Sequence, residues 1–203
     1  ADLFIGSTLQ IDTEGNSSTA TLNRIAGFGG APNFGSDSRG RRHASKAWLK
    51  AGEESMHPGK SVIPRGRKLV VQMVETFKDK MQATFVDKLD AWQLMEDFKL
   101  SIPPIMIYGD DVTHIVTEEG IAHLHRCSNL AEREQAIRGV AGYTPVGLAR
   151  NKKVVEELIS KKIIQRPIDL DIDPRRATRN LLAARSIKDL VFWSDGLYKP
   201  PKR

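Results

Sequence analysis

Gly27-Phe28-Gly29-Gly30-Ala31-Pro32-Asn33-Phe34-Gly35 places four glycines within nine residues, in a loop between strands of a chain whose strands come early and whose helices come late. Residues without a Cβ let another backbone or a ligand approach closely and reach positive φ. Consecutive N–H groups in such a loop can form a nest for an anion, or an oxyanion hole for a thioester carbonyl. Glycine content alone favours a plainer reading, a tight turn where two elements cross. The stretch is not a P-loop, because no Gly-Lys-Ser/Thr follows, and its spacing is not that of the dinucleotide fingerprint.

Upstream, Asp2 to Ile11 is apolar and β-prone and predicts a buried strand. Asp12-Thr13-Glu14-Gly15-Asn16 has hairpin-turn chemistry, and Ser17 to Leu22 reads as the returning strand. Downstream, residues 36–67 are polar, basic and punctuated by Gly and Pro, which predicts a long partner-facing excursion with a short helix near Ala44–Ala51. Lys68 to Val74 reads as a core strand, Phe85 to Leu100 as a helix or irregular insertion ended by Pro103-Pro104, and Thr113–Val116 and Ile121–Leu124 as short strands. Helix caps dominate the last third. Asn129 stands three residues before Glu132, Thr144-Pro145 opens an amphipathic run to Lys162, Asp173-Pro174 repeats that signature, and Ser186 precedes Asp189. The expected architecture is an α/β domain over residues 1–127 with a helical appendage over residues 128–203.

Composition narrows the setting. Forty per cent of residues are hydrophobic and mean hydropathy is −0.36, ordinary for a globular chain of 203 residues with a sizeable core. No apolar run reaches the roughly 18 residues a membrane helix requires. The single cysteine, Cys127, precludes an internal disulfide and fits a reducing, cytoplasmic compartment. The chain opens without Met directly on Leu3-Phe4-Ile5, a strand already under way, and so reads as a piece of something longer. The formal charge is +6, with clusters at Arg39, Arg41, Arg42, Lys46 and Lys50, at Arg65, Arg67 and Lys68, and at Arg175, Arg176 and Arg179. That balance suits acidic partners such as a phosphorylated cofactor or an acidic carrier protein. Aromatic residues do not interleave with these clusters, which argues against nucleic acid.

Ile11-Asp12-Thr13-Glu14-Gly15-Asn16 followed by Gly27-Phe28-Gly29-Gly30-Ala31 resembles the second half of CoA-transferase-fold proteins. Val112-Thr113-His114-Ile115-Val116-Thr117-Glu118-Glu119-Gly120-Ile121-Ala122 is similar to that family's second marker, a strand entering Thr-Glu-x-Gly-x-Ala. Both are also similar to citrate lyase α subunits. Gly30-Ala31-Pro32-Asn33, Arg41-Arg42-His43-Ala44-Ser45, Tyr108-Gly109-Asp110-Asp111 and Gly139-Val140-Ala141-Gly142-Tyr143-Thr144-Pro145 narrow the resemblance, over nearly the whole chain, to malonate decarboxylase α subunits. The resemblance implies a CoA-transferase-like α/β fold with a central, largely parallel sheet. It implies exchange of acetyl for malonyl on a carrier thioester, through a phosphoribosyl-dephospho-CoA arm on an acyl carrier protein. Malonate and further decarboxylase subunits in an oligomeric complex would be the other partners. It implies no metal, and this chain would supply only the second of two similar domains. Alternative readings are a CoA transferase or acyl-CoA hydrolase using free CoA, and a non-catalytic docking domain.

On that resemblance Gly29 and Gly30 amides would hold the thioester oxygen, supported by Asn16, with Gly27, Phe28, Ala31, Asn33, Arg41 and Arg42 facing the cofactor. Read without it, Asn16 is equally a turn residue and Asn33 a helix cap, while Arg41, Arg42 and His43 are equally a basic loop. Glu14 reads as a solvated turn residue rather than a nucleophile. His123, His125 and Cys127 alternate, and on a strand would share a face as a soft-metal trio without an evident fourth ligand. The neighbours Asp110 and Asp111, like Glu118 and Glu119, would point apart and make no carboxylate dyad. Trp48, Trp92 and Trp193 read as core or interface anchors.

Overall fold

The computed structural model describes residues 3–36, 46–55, 68–78 and 81–194. The chain divides into two compact units, Ala1–Gln165 and Arg166–Arg203. The first holds strands β1 (Leu3–Gly6), β2 (Gln10–Ile11), β3 (Ser17–Ser18), β4 (Leu69–Met73), β5 (Phe77–Lys78), β6 (Gln82–Ala83), β7 (His114–Thr117), β8 (Gly120–His123) and β9 (Ile164–Gln165). Its helices are α1 (Ala31–Phe34), α2 (Lys46–Ser55), α3 (Ala91–Asp97), α4 (Leu130–Val140), α5 (Pro145–Leu148) and α6 (Lys152–Ser160).

The main sheet runs β1-β4-β7-β8-β9. The pairs β1–β4 and β4–β7 are parallel, and β7–β8 and β8–β9 antiparallel. Period-two alternation sorts its side chains: Val70, Ile115, Ala122 and Ile164 are buried on one face, whereas Leu3, Ile5, Leu69 and Met73 are exposed on the other. Helices α4 and α6 cover the buried face with Ala136, Ile137 and Val140, and with Val155 and Leu158. Each fully buried aliphatic side chain stabilises by about 1.5–3 kcal/mol. A second cluster of Leu89, Ala91, Ile105 and Tyr108 seats α3, where half-buried Trp92 carries the Lys88 ammonium 5.2 Å above its ring.

The sheet and the caps follow the sequence reading, and three details differ. Asp2–Ile11 is not one buried strand. Thr8 is buried and its hydroxyl donates to the carbonyls of Gln10 and Ser18, which turns the chain between β1 and β2. The run from Thr144 to Lys162 is two helices, because Asn151 caps α6 by accepting from the Val154 N–H. The boundary expected at 127/128 falls instead at 165/166: β9 pairs Ile164 with Ala122 and Gln165 with Ile121, which ties α4 to α6 into the sheet unit.

The second unit holds a 3-10 turn, Pro167–Leu170, and helices α7 (Pro174–Ala183) and α8 (Ile187–Trp193). Asp173 caps α7, and Ser186 with Asp189 forms a full capping box on α8. Neither helix contains a buried residue. No helix formed by the described residues is long and apolar enough to cross a membrane.

Candidate functional site

The turn between β2 and β3 is built around a buried carboxylate. Asp12 accepts from the backbone N–H groups of Glu14 (3.0 Å) and Asn16 (2.9 Å) and from Asn16 Nδ2 (3.1 Å). Asn16 Nδ2 also donates to Glu14 Oε2, and Asn16 Oδ1 accepts from the Gly109 N–H at 2.8 Å. A Cβ on Gly109 would lie 2.2 Å from the Glu14 carbonyl oxygen, so only glycine fits where the two turns touch. From below, the Arg133 guanidinium of α4 donates to the carbonyls of Gly109, Val112 and Leu124. Burial pushes the Asp12 carboxyl up to about 7, with the Glu14 charge adding to the rise and the Asn16 hydrogen bonds opposing it.

The glycine loop leads into α1, whose end packs against the segment that carries Gly109. Phe28 and Ala31 are half-buried and pack against the main core, which anchors the loop. Gly29 has φ +56°, and the Ala31 N–H closes the turn by donating to the Phe28 carbonyl at 3.1 Å. Gly30 then caps α1 from a φ of −87°. Among the described residues, the N–H groups of Gly27, Phe28, Gly29 and Gly30 have no protein acceptor, whereas the Ala31 N–H is spent and Pro32 has none. Pro32, Gly35 and Ser36 form one wall of a narrow crevice, and Met106, Ile107, Tyr108 and Asp111 form the other. Lys68 donates to the carbonyls of Phe34 and Ser36, which fixes the far end of α1 to the entry of β4. The result is a row of amides on a braced support, with the end of α1 packed against the segment that carries Gly109.

The candidate residues fall into three groups. Gly27, Gly29, Gly30 and Asn33 are exposed and share the loop with Phe28 and Ala31. Asn16 is buried, with both amide hydrogens committed inside its own turn, so it has no donor for an oxyanion and serves to hold Gly109. Arg41, Arg42 and His43 lie outside the described residues, as does the side chain of Trp48. Glu14 is exposed, and Glu118 is engaged by the N–H and hydroxyl of Thr76. Asp111 is buried and Asp110 exposed in a 3-10 turn, Gly109–Asp111. The alternation over His123, His125 and Cys127 is broken, because β8 ends at His123 and Leu124–Arg126 is a 3-10 turn. Burial pushes the Cys127 thiol up to about 11. Sequence reading missed Asp12, Arg133 and His114. Hairpin arithmetic offered a signal for the last: a two-residue turn at Glu118-Glu119 pairs Thr117 with Gly120 and, three steps on, His114 with His123.

Over residues 1–203 the sequence matches the family model described as malonate decarboxylase, alpha subunit, transporter. The chain belongs to the malonate decarboxylase α-subunit family. An acetyl-S-ACP:malonate ACP transferase of Malonomonas rubra is 58% identical over 204 residues, a match covering all of this chain and 37% of that protein. A malonate decarboxylase α subunit from Acinetobacter baumannii superposes with a TM-score of 0.75 at 52% identity, over 99% of this chain and 37% of the other. A Pseudomonas malonate decarboxylase hetero-tetramer in complex with malonate gives 0.74 at 51% identity, covering 99% of this chain and 36% of the matched one. The chain thus spans about 37% of the length of these relatives. The α/β fold with its mixed central sheet, parallel over β1, β4 and β7, is that of the family.

Proposed function

We propose that this chain is part of an acyl-carrier-protein transferase that converts acetyl-carrier and malonate to malonyl-carrier and acetate. The observation that carries this is the 58% identity, across the whole chain, to the Malonomonas rubra transferase. In the proposed reaction a malonate carboxylate oxygen attacks the acetyl thioester carbon, the carbonyl electron pair moves to oxygen, and the carrier thiolate leaves. The thiolate then attacks the malonyl carbonyl of the mixed anhydride and expels acetate. Gly29 and Gly30 amides would stabilise the oxyanion in each half. Gly27, Phe28, Ala31 and Asn33 would flank the phosphoribosyl-dephospho-CoA arm, with Arg41 and Arg42 on its phosphates, the task to which planar guanidinium groups are suited. Asn16 takes the role of a positioning residue. No nucleophile is assigned to this chain, and malonate contacts would come from the rest of the subunit and its partners, in the cytoplasm.

The intact subunit should transfer labelled malonate onto acetyl-carrier. A Cβ at residue 30 would fall 2.7 Å from the Phe34 ring, so Gly30→Val crowds the amide row from a backbone conformation that valine tolerates. Loss of an oxyanion donor typically lowers kcat by about 10²–10³-fold, and a comparable loss with an unchanged circular dichroism spectrum is expected. Unchanged turnover would remove the loop from the mechanism. Activity with free acetyl-CoA rivalling that with carrier would favour an ordinary CoA transferase.

A further inference from the structure

Among the described residues, His114, His123 and His125 bring one ring nitrogen each to within 4.8 Å of one another. His114 opens β7 and stands opposite His123 of β8, and His125 belongs to the 3-10 turn that follows β8. Ile115 and Ala122 point into the core, so His114 and His123 share the other face of the sheet. The ring centroids are 5.0 Å (114–123), 4.7 Å (114–125) and 6.1 Å (123–125) apart.

The surrounding hydrogen bonds set the tautomers. The buried Thr113 hydroxyl donates to the Val70 carbonyl at 2.8 Å, so its contact with His114 Nδ1, also 2.8 Å, makes that nitrogen the donor. His125 Nδ1 faces the Thr113 carbonyl at 3.4 Å, and His123 Nε2 faces Gln165 Oε1 at 2.8 Å, so these also carry the proton. The lone pairs then sit on His114 Nε2, His123 Nδ1 and His125 Nε2. Imidazoles that bind a metal through one nitrogen characteristically donate the other N–H to a fixed protein oxygen. Tetrahedral zinc, with Zn–N distances of about 2.0–2.1 Å, needs its nitrogens about 3.4 Å apart. Ring rotation, chiefly of the exposed His125, would close the remaining gap.

We propose that His114, His123 and His125 form a binding site for a borderline divalent cation of the zinc class, with a fourth position open to water. Neutral imidazole suits zinc, copper and nickel, and carboxylate-preferring magnesium or calcium poorly. The ion would clip the turn after β8 to the β7–β8 hairpin.

The test uses the full chain without an affinity tag, stripped with a chelator and titrated with zinc by calorimetry and with cobalt(II) by absorbance. Expected results are one equivalent bound, intense tetrahedral cobalt bands, and affinity at least ten-fold weaker in His125→Ala, an exposed position whose replacement leaves the fold intact. Gln165→Leu should weaken binding by about 10–100-fold through loss of the outer hydrogen bond. Long-range 1H–15N spectra of zinc-loaded wild type should show coordination through His114 Nε2, His123 Nδ1 and His125 Nε2. No zinc uptake, a weak octahedral cobalt spectrum, uptake unaffected by His125→Ala, or coordination through the opposite nitrogens would each overturn the proposal.

Discussion

Asp12 shows how burial and hydrogen bonding contend at one residue. It takes two backbone N–H donors and one amide donor, all of which favour the carboxylate, yet burial outweighs them and raises its pKa from 3.8 to about 7. Between those values the folded chain holds a proton that the unfolded chain has released. Asp12 therefore adds stability as pH falls from above 7 towards 4, and that stability is lost as pH rises through about 7. A 13C titration of the Asp12 carboxyl should give a midpoint near 7, and one below 5 would show that the hydrogen bonds win. Gly29 presents a purely conformational case. Its φ is +56° and a Cβ there would meet nothing within 4 Å, so any cost of Gly29→Ala lies in the backbone. Left-handed backbone costs an L-residue about 1–2 kcal/mol, less for Asn, so urea denaturation should rank Gly above Asn and Asn above Ala. Equal losses for Asn and Ala would mean that another interaction is being broken.

At the level of elements, the caps divide the C-terminal half of the sheet unit into pieces that can wrap the core. The Thr144 hydroxyl, fully buried, donates to the Ala141 carbonyl at 2.7 Å and accepts from the Gly147 N–H at 3.1 Å, whereas the Asn151 cap is exposed. Replacing an exposed cap by Ala costs about 1 kcal/mol, and Asn151→Ala should match it. Thr144→Ala also strands the buried Gly147 N–H, while the Ala141 carbonyl keeps the Thr144 N–H, so it should cost about 2 kcal/mol or more in the urea midpoint. Equal costs would show that water reaches the Thr144 site. These caps were legible because they act within three or four residues. That Thr144 to Lys162 makes two helices was written in Asn151, a residue that favours caps over helix interiors, but amphipathic periodicity ran across it. Strand pairing acts at longer range, which is why His114 went unnoticed beside His123 and His125. Asn16 went astray for a related reason: its motif position suggests a ligand contact, and only the arrival of Gly109 from 93 residues away shows its side chain to be used within the protein.

For the molecule as a whole, the two units differ in what holds them. The sheet unit has a continuous core from Ile11 to Ile164. The second unit has two well-capped helices in which Leu190, Val191 and Trp193 are half-buried, whereas Leu181, Leu182, Ile187 and Phe192 are all at least 66% exposed. Sequence signals for α7 and α8 were strong because capping is local, but capping cannot supply the burial that stabilises a short helix, and isolated helices below about 12–15 residues are marginal in water. Opening free energy should therefore be low across Pro174–Trp193 and approach the global value in β4 and β7. Limited trypsin digestion of the chain should cut after Arg175, Arg176, Arg179 or Arg185 before it cuts within α4 or α6. Hydrogen exchange should order the amides the same way. Protection of α7 equal to that of β4 would show that the helices are buried by contacts beyond their own unit. Loss of that protection on dilution would trace it to self-association through the same apolar side chains.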